Sequence, residues 1–236
     1  MNIRNTHKEN HQMIDLSNRD LTGANFTEAN LKRSNFAGAD LAGADFTGAN
    51  LSRANFDRAV LIDVNFADAN LSRANFDRAI LIDVNFDRAN ATGANLTGAD
   101  FTRTSLTGAN LTGANFTGAY LTGAYINGAN LTGAYLNGAN LTRTSLTDAK
   151  LNRADLIRAD LTGAKLIRAD FTGATLTGAK LTRADLTHAD FTRAHLYQTN
   201  LTDADLDHAD FTDATITEAN FHGTENHETT IGLMNQ

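Results

Sequence analysis

The side chains in this 236-residue chain that could do chemistry are hydroxyls, carboxylates and a few imidazoles, and their spacing is informative. His188 and His208 are twenty residues apart. If that interval brings them into one column they could grip a metal ion, but two ligands without a third make a poor site. Thr and Ser are abundant, yet the chain has no recognisable Ser-His-Asp arrangement, no phosphate-binding loop and no zinc-protease helix motif. The absence of Cys excludes disulfides, thiol catalysis and cysteine metal sites.

Carboxylates are the commonest titratable groups, and their distribution is uneven. Residues 1–193 carry twenty Lys and Arg against nineteen Asp and Glu, whereas 194–236 carry eight acids and no Lys or Arg. The net charge of −7 therefore sits in the last fifth of the chain, where Asp203, Asp205, Asp207, Asp210, Asp213 and Glu218 make a candidate acidic end. Such an end attracts a basic partner and repels nucleic acid. Met1–Gln12 has no apolar signal region and no stretch approaches the length of a membrane span, so the expectation is a cytoplasmic protein without a membrane partner.

The elements that position these groups are set by a repeat. From Leu16 to Phe221 every fifth residue is Leu, Phe or Ile, with the single exception of Ala91. Two residues before each centre, from Ala24 to Ala219, the residue is Ala except at Ser34, Val64, Val84, Thr104, Thr144 and Thr199. A period of five is neither helical nor purely extended; three extended residues followed by a two-residue turn satisfy it. The Ala and the large apolar residue then point inward, and the Asn or Asp between them points out, as do the Thr or Ser and the Gly or Arg that follow.

Two features give the number of sides. All 13 Phe are at centres, and Phe26, Phe46, Phe66 and Phe86 run at intervals of twenty, as do Phe36, Phe56 and Phe76 and again Phe171, Phe191 and Phe211. Residues 51–70 and 71–90 agree at 17 of 20 positions, as a duplicated unit would. Four pentads therefore make one coil, and roughly ten coils at about 4.8 Å make a rod on the order of 50 Å long. The expected organisation is an N-terminal tail or cap over 1–13, one repeat domain over 14–224 and a C-terminal tail or cap over 225–236. Ile3, Met13 and Ile14 are candidates to cover the first coil, and Ile231, Leu233 and Met234 the last.

The unit seen at Ala109-Asn110-Leu111-Thr112-Gly113 resembles the signature of the pentapeptide-repeat family across nearly nine tenths of the chain. The resemblance implies an all-β, right-handed, four-sided β-helix. Members are numerous in cyanobacteria, and one type, the quinolone-resistance proteins, are acidic dimers that occupy the DNA site of type II topoisomerases. This chain lacks the interrupting loops and C-terminal dimer helix of that type.

On such a rod any function must sit on outward positions. Tyr120, Tyr125 and Tyr135 replace the outward Asn or Asp within a stretch from Arg103 to Arg143 that has no charge between its ends. Val60 and Ile80 are outward and one coil apart, with Ile62 and Ile82 just beyond the adjoining centres. Both groups are candidate protein contacts. The expected function is a non-enzymatic scaffold with a protein partner, no cofactor and no direct nucleic-acid binding; a homodimer through the C-terminal end is a further expectation. The alternatives are a DNA mimic that binds gyrase, and a natural or designed repeat with no selected ligand.

Overall fold

A computed structural model describes residues 13–233 as a continuous coil in which each pentad forms one side and one corner. Parallel bridges join residues twenty apart, from Asp15↔Asn35 to Asp205↔Glu225, so the cross-section has four sides without a break in register. Among the described residues no helix is long and apolar enough to cross a membrane.

The five backbone N–H groups of a pentad show why this sequence turns where it does. In the unit centred on Leu21, the Leu21 N–H donates to Asp40 O at 2.7 Å and the Gly23 N–H to Ala42 O at 2.8 Å, both in the next coil. The Ala24 N–H closes the corner on Leu21 O at 3.0 Å, and the Asn25 side chain accepts from the Thr27 N–H at 3.0 Å. The outward residue one coil on, Asp45, donates back to Ala24 O at 2.9 Å. Three bonds per pentad thus stitch coils together, one closes the turn, and one is supplied by the outward Asn or Asp.

The second corner residue has φ near +60°, which with the corner hydrogen bond makes a type II turn. Gly113 occupies it without strain at φ +62°, but Arg88 and Arg103 hold the same conformation at +58°. A long side chain there accepts a backbone cost of about 1 kcal/mol and projects from a corner.

Inside, the large residues stack on their equivalents one coil away. Phe36, Phe56 and Phe76 have ring centroids 4.9 and 4.7 Å apart and lie within 4° of parallel. The opposite column, Phe26, Phe46, Phe66 and Phe86, stacks at 4.7 to 5.0 Å. The two columns meet edge to face across the axis, as Phe46 and Phe56 do at 6.0 Å and 90°, so neither π-face is wasted. Phe171, Phe191 and Phe211 form a third column at 4.8 Å on another side. Ala91, the one small centre, stands half a coil from Phe101, whose column is otherwise Leu from Leu21 to Leu201. Small beside large keeps the filled volume near that of a Leu pair.

At the C-terminal end Glu225 pairs with Asp205 and Ile231 with Asp210, joined by the short 3-10 turn His227–Thr229. Thr230 is buried there, its hydroxyl donating to Leu206 O at 3.0 Å. That segment covers two sides; on the other two, Ile216 and Phe221 are only half buried. Leu233 and Ile14 pack against the core, Met13 and Ile231 are exposed, and Ile3 and Met234 lie outside the described residues.

Candidate protein-contact surface

The outward row is where chemistry could sit, and most of it is committed to the backbone. Asp100 accepts from the Thr102 N–H at 2.9 Å and Asp160 from the Thr162 N–H at 3.0 Å, and the same pairing recurs around the solenoid. On one side Asn35, Asn55, Asn75 and Asn95 also form a ladder, each amide donating to the carbonyl or carboxylate one coil before at 2.8 to 3.1 Å.

The corners carry charge ladders. Arg88 reaches back to Asp68 with two bonds of 2.8 and 2.7 Å, and Arg168 to Asp148 with 2.7 and 2.8 Å; Arg103 makes the equivalent pair with Asp83. Each of these Asp carboxyls is held below the usual carboxylate range, by the guanidinium hydrogen bond first. They lie at the solvent surface, so they are modest stabilisers of the corner column. Asp170 is partly buried; burial pushes its carboxyl up, but the Thr172 hydroxyl and N–H, Asn152 and nearby Lys150 outweigh it and hold it low.

The acidic end has local partners throughout. Asp203 lies 3.7 Å from Arg183 and Asp213 3.9 Å from Arg193. Asp205 takes the Asn226 amide at 2.7 Å, Asp210 the Thr212 hydroxyl at 2.6 Å, and Glu218 the Gln198 amide at 2.7 Å. Asp207 is held low by Thr229 and then by His208, whose Nδ1 is 2.7 Å away. The His188 and His208 rings lie 4.8 Å apart and tilted by 37°, and no group of three metal-ligating side chains occurs among the described residues.

The outward Asn or Asp is missing at Ser, Thr, Lys and His positions such as Ser105, Lys165 and Thr215, and at a few aromatic and apolar ones, which are the candidates for contact. Tyr120, Tyr125 and Tyr135 are 54%, 54% and 52% exposed and lie on three of the four sides. None can accept from the N–H two residues on as Asn does, and the N–H groups of Thr122, Asn127 and Asn137 have no such bond among the described residues. Val60 and Ile80 bridge one another on a single side, and Ile80 and Ile62 are 39% and 36% exposed.

The profile of Pentapeptide repeats matches in eight copies that run from residue 14 to 225. The chain belongs to the pentapeptide-repeat family. Its β-helix is therefore right-handed and four-sided, and family members are generally structural or binding proteins rather than enzymes. HetL, a pentapeptide-repeat protein involved in heterocyst differentiation regulation from the cyanobacterium Nostoc, is 33% identical, with 92% of this chain and 91% of that one aligned and a TM-score of 0.51. Rfr23 from the cyanobacterium Cyanothece is 26% identical over 46% of this chain and 90% of its own, with a TM-score of 0.40. QnrB1, a plasmid-mediated fluoroquinolone resistance protein, is 24% identical over 92% of this chain and 94% of its own, with a TM-score of 0.38. No curated protein sequence matches the chain.

Sequence reasoning missed three things at this surface. The outward Asn or Asp is a backbone acceptor as well as a polar residue, the corner Arg and Asp pair along columns, and Tyr197 is a fourth exposed tyrosine, raised in pKa by Glu218. The first was legible in principle, because Asn and Asp accept from the N–H two residues on more strongly than Ser or Thr do.

Proposed function

We propose that this chain is a non-enzymatic scaffold that binds another protein through its outer faces, with the band of Tyr120, Tyr125 and Tyr135 as the principal contact. The observation that carries this is the substitution itself. Three aromatic side chains stand half-exposed in place of residues that would have closed a backbone hydrogen bond, inside a band with no charge. Exposed Tyr offers broad amphipathic area at low entropic cost, which suits recognition and does nothing for the coil. HetL's part in heterocyst differentiation regulation supports a regulatory binding role for a relative built this way. The acidic end keeps its charge, since most of its carboxylates take neutral donors. A DNA-mimic reading has less support because residues 1–193 are close to neutral, with twenty Lys and Arg against nineteen Asp and Glu.

The test is photo-crosslinking in an extract of the source cells, with a crosslinker at position 125 and, as control, at Asn110. The expected result is a discrete adduct from position 125, competed away by the unlabelled chain and not by Tyr120→Asn/Tyr125→Asn/Tyr135→Asn. Equal competition by both chains would remove the tyrosine band from the contact.

A further inference from the structure

We propose that the side bearing Val60, Ile62, Ile80 and Ile82 is where two copies of this chain meet, side by side with their solenoid axes parallel. This rests on the reading that apolar and aromatic departures from outward Asn and Asp mark contact surfaces; Tyr120 stands on the same row two coils beyond Ile80, whereas Tyr125 and Tyr135 face other sides.

The first argument is what these residues replace. On the same row Asp40, Asp100, Asn140 and Asp160 each accept from the N–H two residues on, at 2.9 to 3.1 Å. Val60 and Ile80 cannot, so the N–H groups of Ile62 and Ile82 lose that acceptor, and apolar side chains stand in water instead. The interior gains nothing, because all four point outward from a core already filled by Leu61, Val64, Leu81 and Val84. Two apolar residues in succession on an outward row, without a packing gain, mark a surface kept for contact.

The second argument is the charge at the two edges. Arg58 and Arg78 line the corner before this side, with side chains 66% and 67% exposed and Asp57 and Asp77 only within 4.0 Å. Asp63 and Asp83 line the corner after it, Asp83 already holding Arg103. Two copies placed face to face about a two-fold along the rod bring the Arg edge of each over the Asp edge of the other, with Val60 and Ile80 meeting their own copies. A two-fold across the rod would set Arg over Arg. The side is therefore self-complementary in one arrangement, as an isologous contact requires.

The contact is small. Asp40 and Asp100 flank the apolar pair on the same row and face their own copies, which confines it to about two coils. That is well under the roughly 800 Å² per partner of a standard interface, so the contact is a weak, transient one.

Sedimentation velocity of the full chain from about 10 µM to about 1 mM tests this, since a contact of this size populates the dimer only at the upper end. The expected result is a shift toward twice the 25.3 kDa mass, abolished by Val60→Asn/Ile80→Asn. That variant installs the residue the repeat uses and restores two hydrogen bonds, so it folds and melts no lower than the parent. Arg58→Asp alone should weaken the dimer, and adding Asp63→Arg should recover it. A chain that stays monomeric throughout would overturn the proposal and leave the tyrosine band untouched. A dimer that survives Val60→Asn/Ile80→Asn would overturn the assignment to this side, and a charge swap that fails to rescue would overturn the parallel arrangement.

Discussion

At the residue scale the pentad is a closed set of hydrogen bonds, and single substitutions report on each member. Asn130 accepts from the Thr132 N–H at 3.0 Å, so Asn130→Ala should cost about 1 kcal/mol in chemical denaturation. Ser34 is the converse case: its hydroxyl is buried with no partner where the repeat uses Ala. Ser34→Ala should hold or raise stability, by about 1 kcal/mol if the lost hydroxyl was fully desolvated. Asp170, the partly buried one among several carboxyls held low, contributes to the pH dependence. Its folded pKa is depressed, so its contribution is present above the unfolded value of about 3.8 and is lost as pH falls through the folded value. Asp170→Asn keeps an acceptor for Thr172 and should flatten the loss of melting temperature below that pH, as thermal melts on acidification would read. The inward Ala and the centres were legible in the sequence because burial is written in residue type. The acceptor role of Asn and Asp was less so, since a polar residue on an outward row explains itself by exposure alone.

At the scale of the element, each coil is a layer whose inner volume is shared among four large residues and four small ones. Phe56 is stacked at 4.9 Å on Phe36 and 4.7 Å on Phe76 and meets Phe46 and Phe66 edge-on. Phe56→Ala should therefore cost about 3–5 kcal/mol, by lost burial and by the cavity it leaves. The pairing of Ala91 with Phe101 makes a sharper prediction. Ala91→Leu alone should overpack the layer and cost about 1–3 kcal/mol, whereas Ala91→Leu with Phe101→Leu should recover most of it. Denaturant titrations of the two single variants and the double would measure that coupling, and additive losses would show that the two residues do not share a volume. The fold was readable at this scale because a fixed register of five repeats the same statement from Leu16 to Phe221, and the Phe intervals supply the number of sides. The exception at Ala91 was visible too, but its compensation by Phe101 needs the half-coil opposition that only the four-sided section provides.

For the whole molecule, parallel pairing of each coil with the next makes stability a sum of neighbour terms, and the outer rows are left free to vary. The corner ladders show how far that freedom goes: Arg88 with Asp68 and Arg168 with Asp148 tie coils together from outside the core. The C-terminal acids are legible as an anionic end from charge counts; side-chain geometry adds that each of the six has a local hydrogen-bond or ion-pair partner, which a count does not reveal. The candidate contacts were found as departures from a pattern, and what they touch was not written there, because a partner's chemistry lies outside the repeat. The central claim is that Tyr120, Tyr125 and Tyr135 serve recognition and not the coil. The most direct measurement is a thermal melt of the chain carrying Tyr120→Asn, Tyr125→Asn and Tyr135→Asn. The account predicts a melting temperature equal to the parent's or higher by a few degrees, since each Asn restores a backbone acceptor, at about 2–4 °C per kcal/mol for a chain of this size. A fall of several degrees would contradict it and make the tyrosines part of what holds the solenoid together.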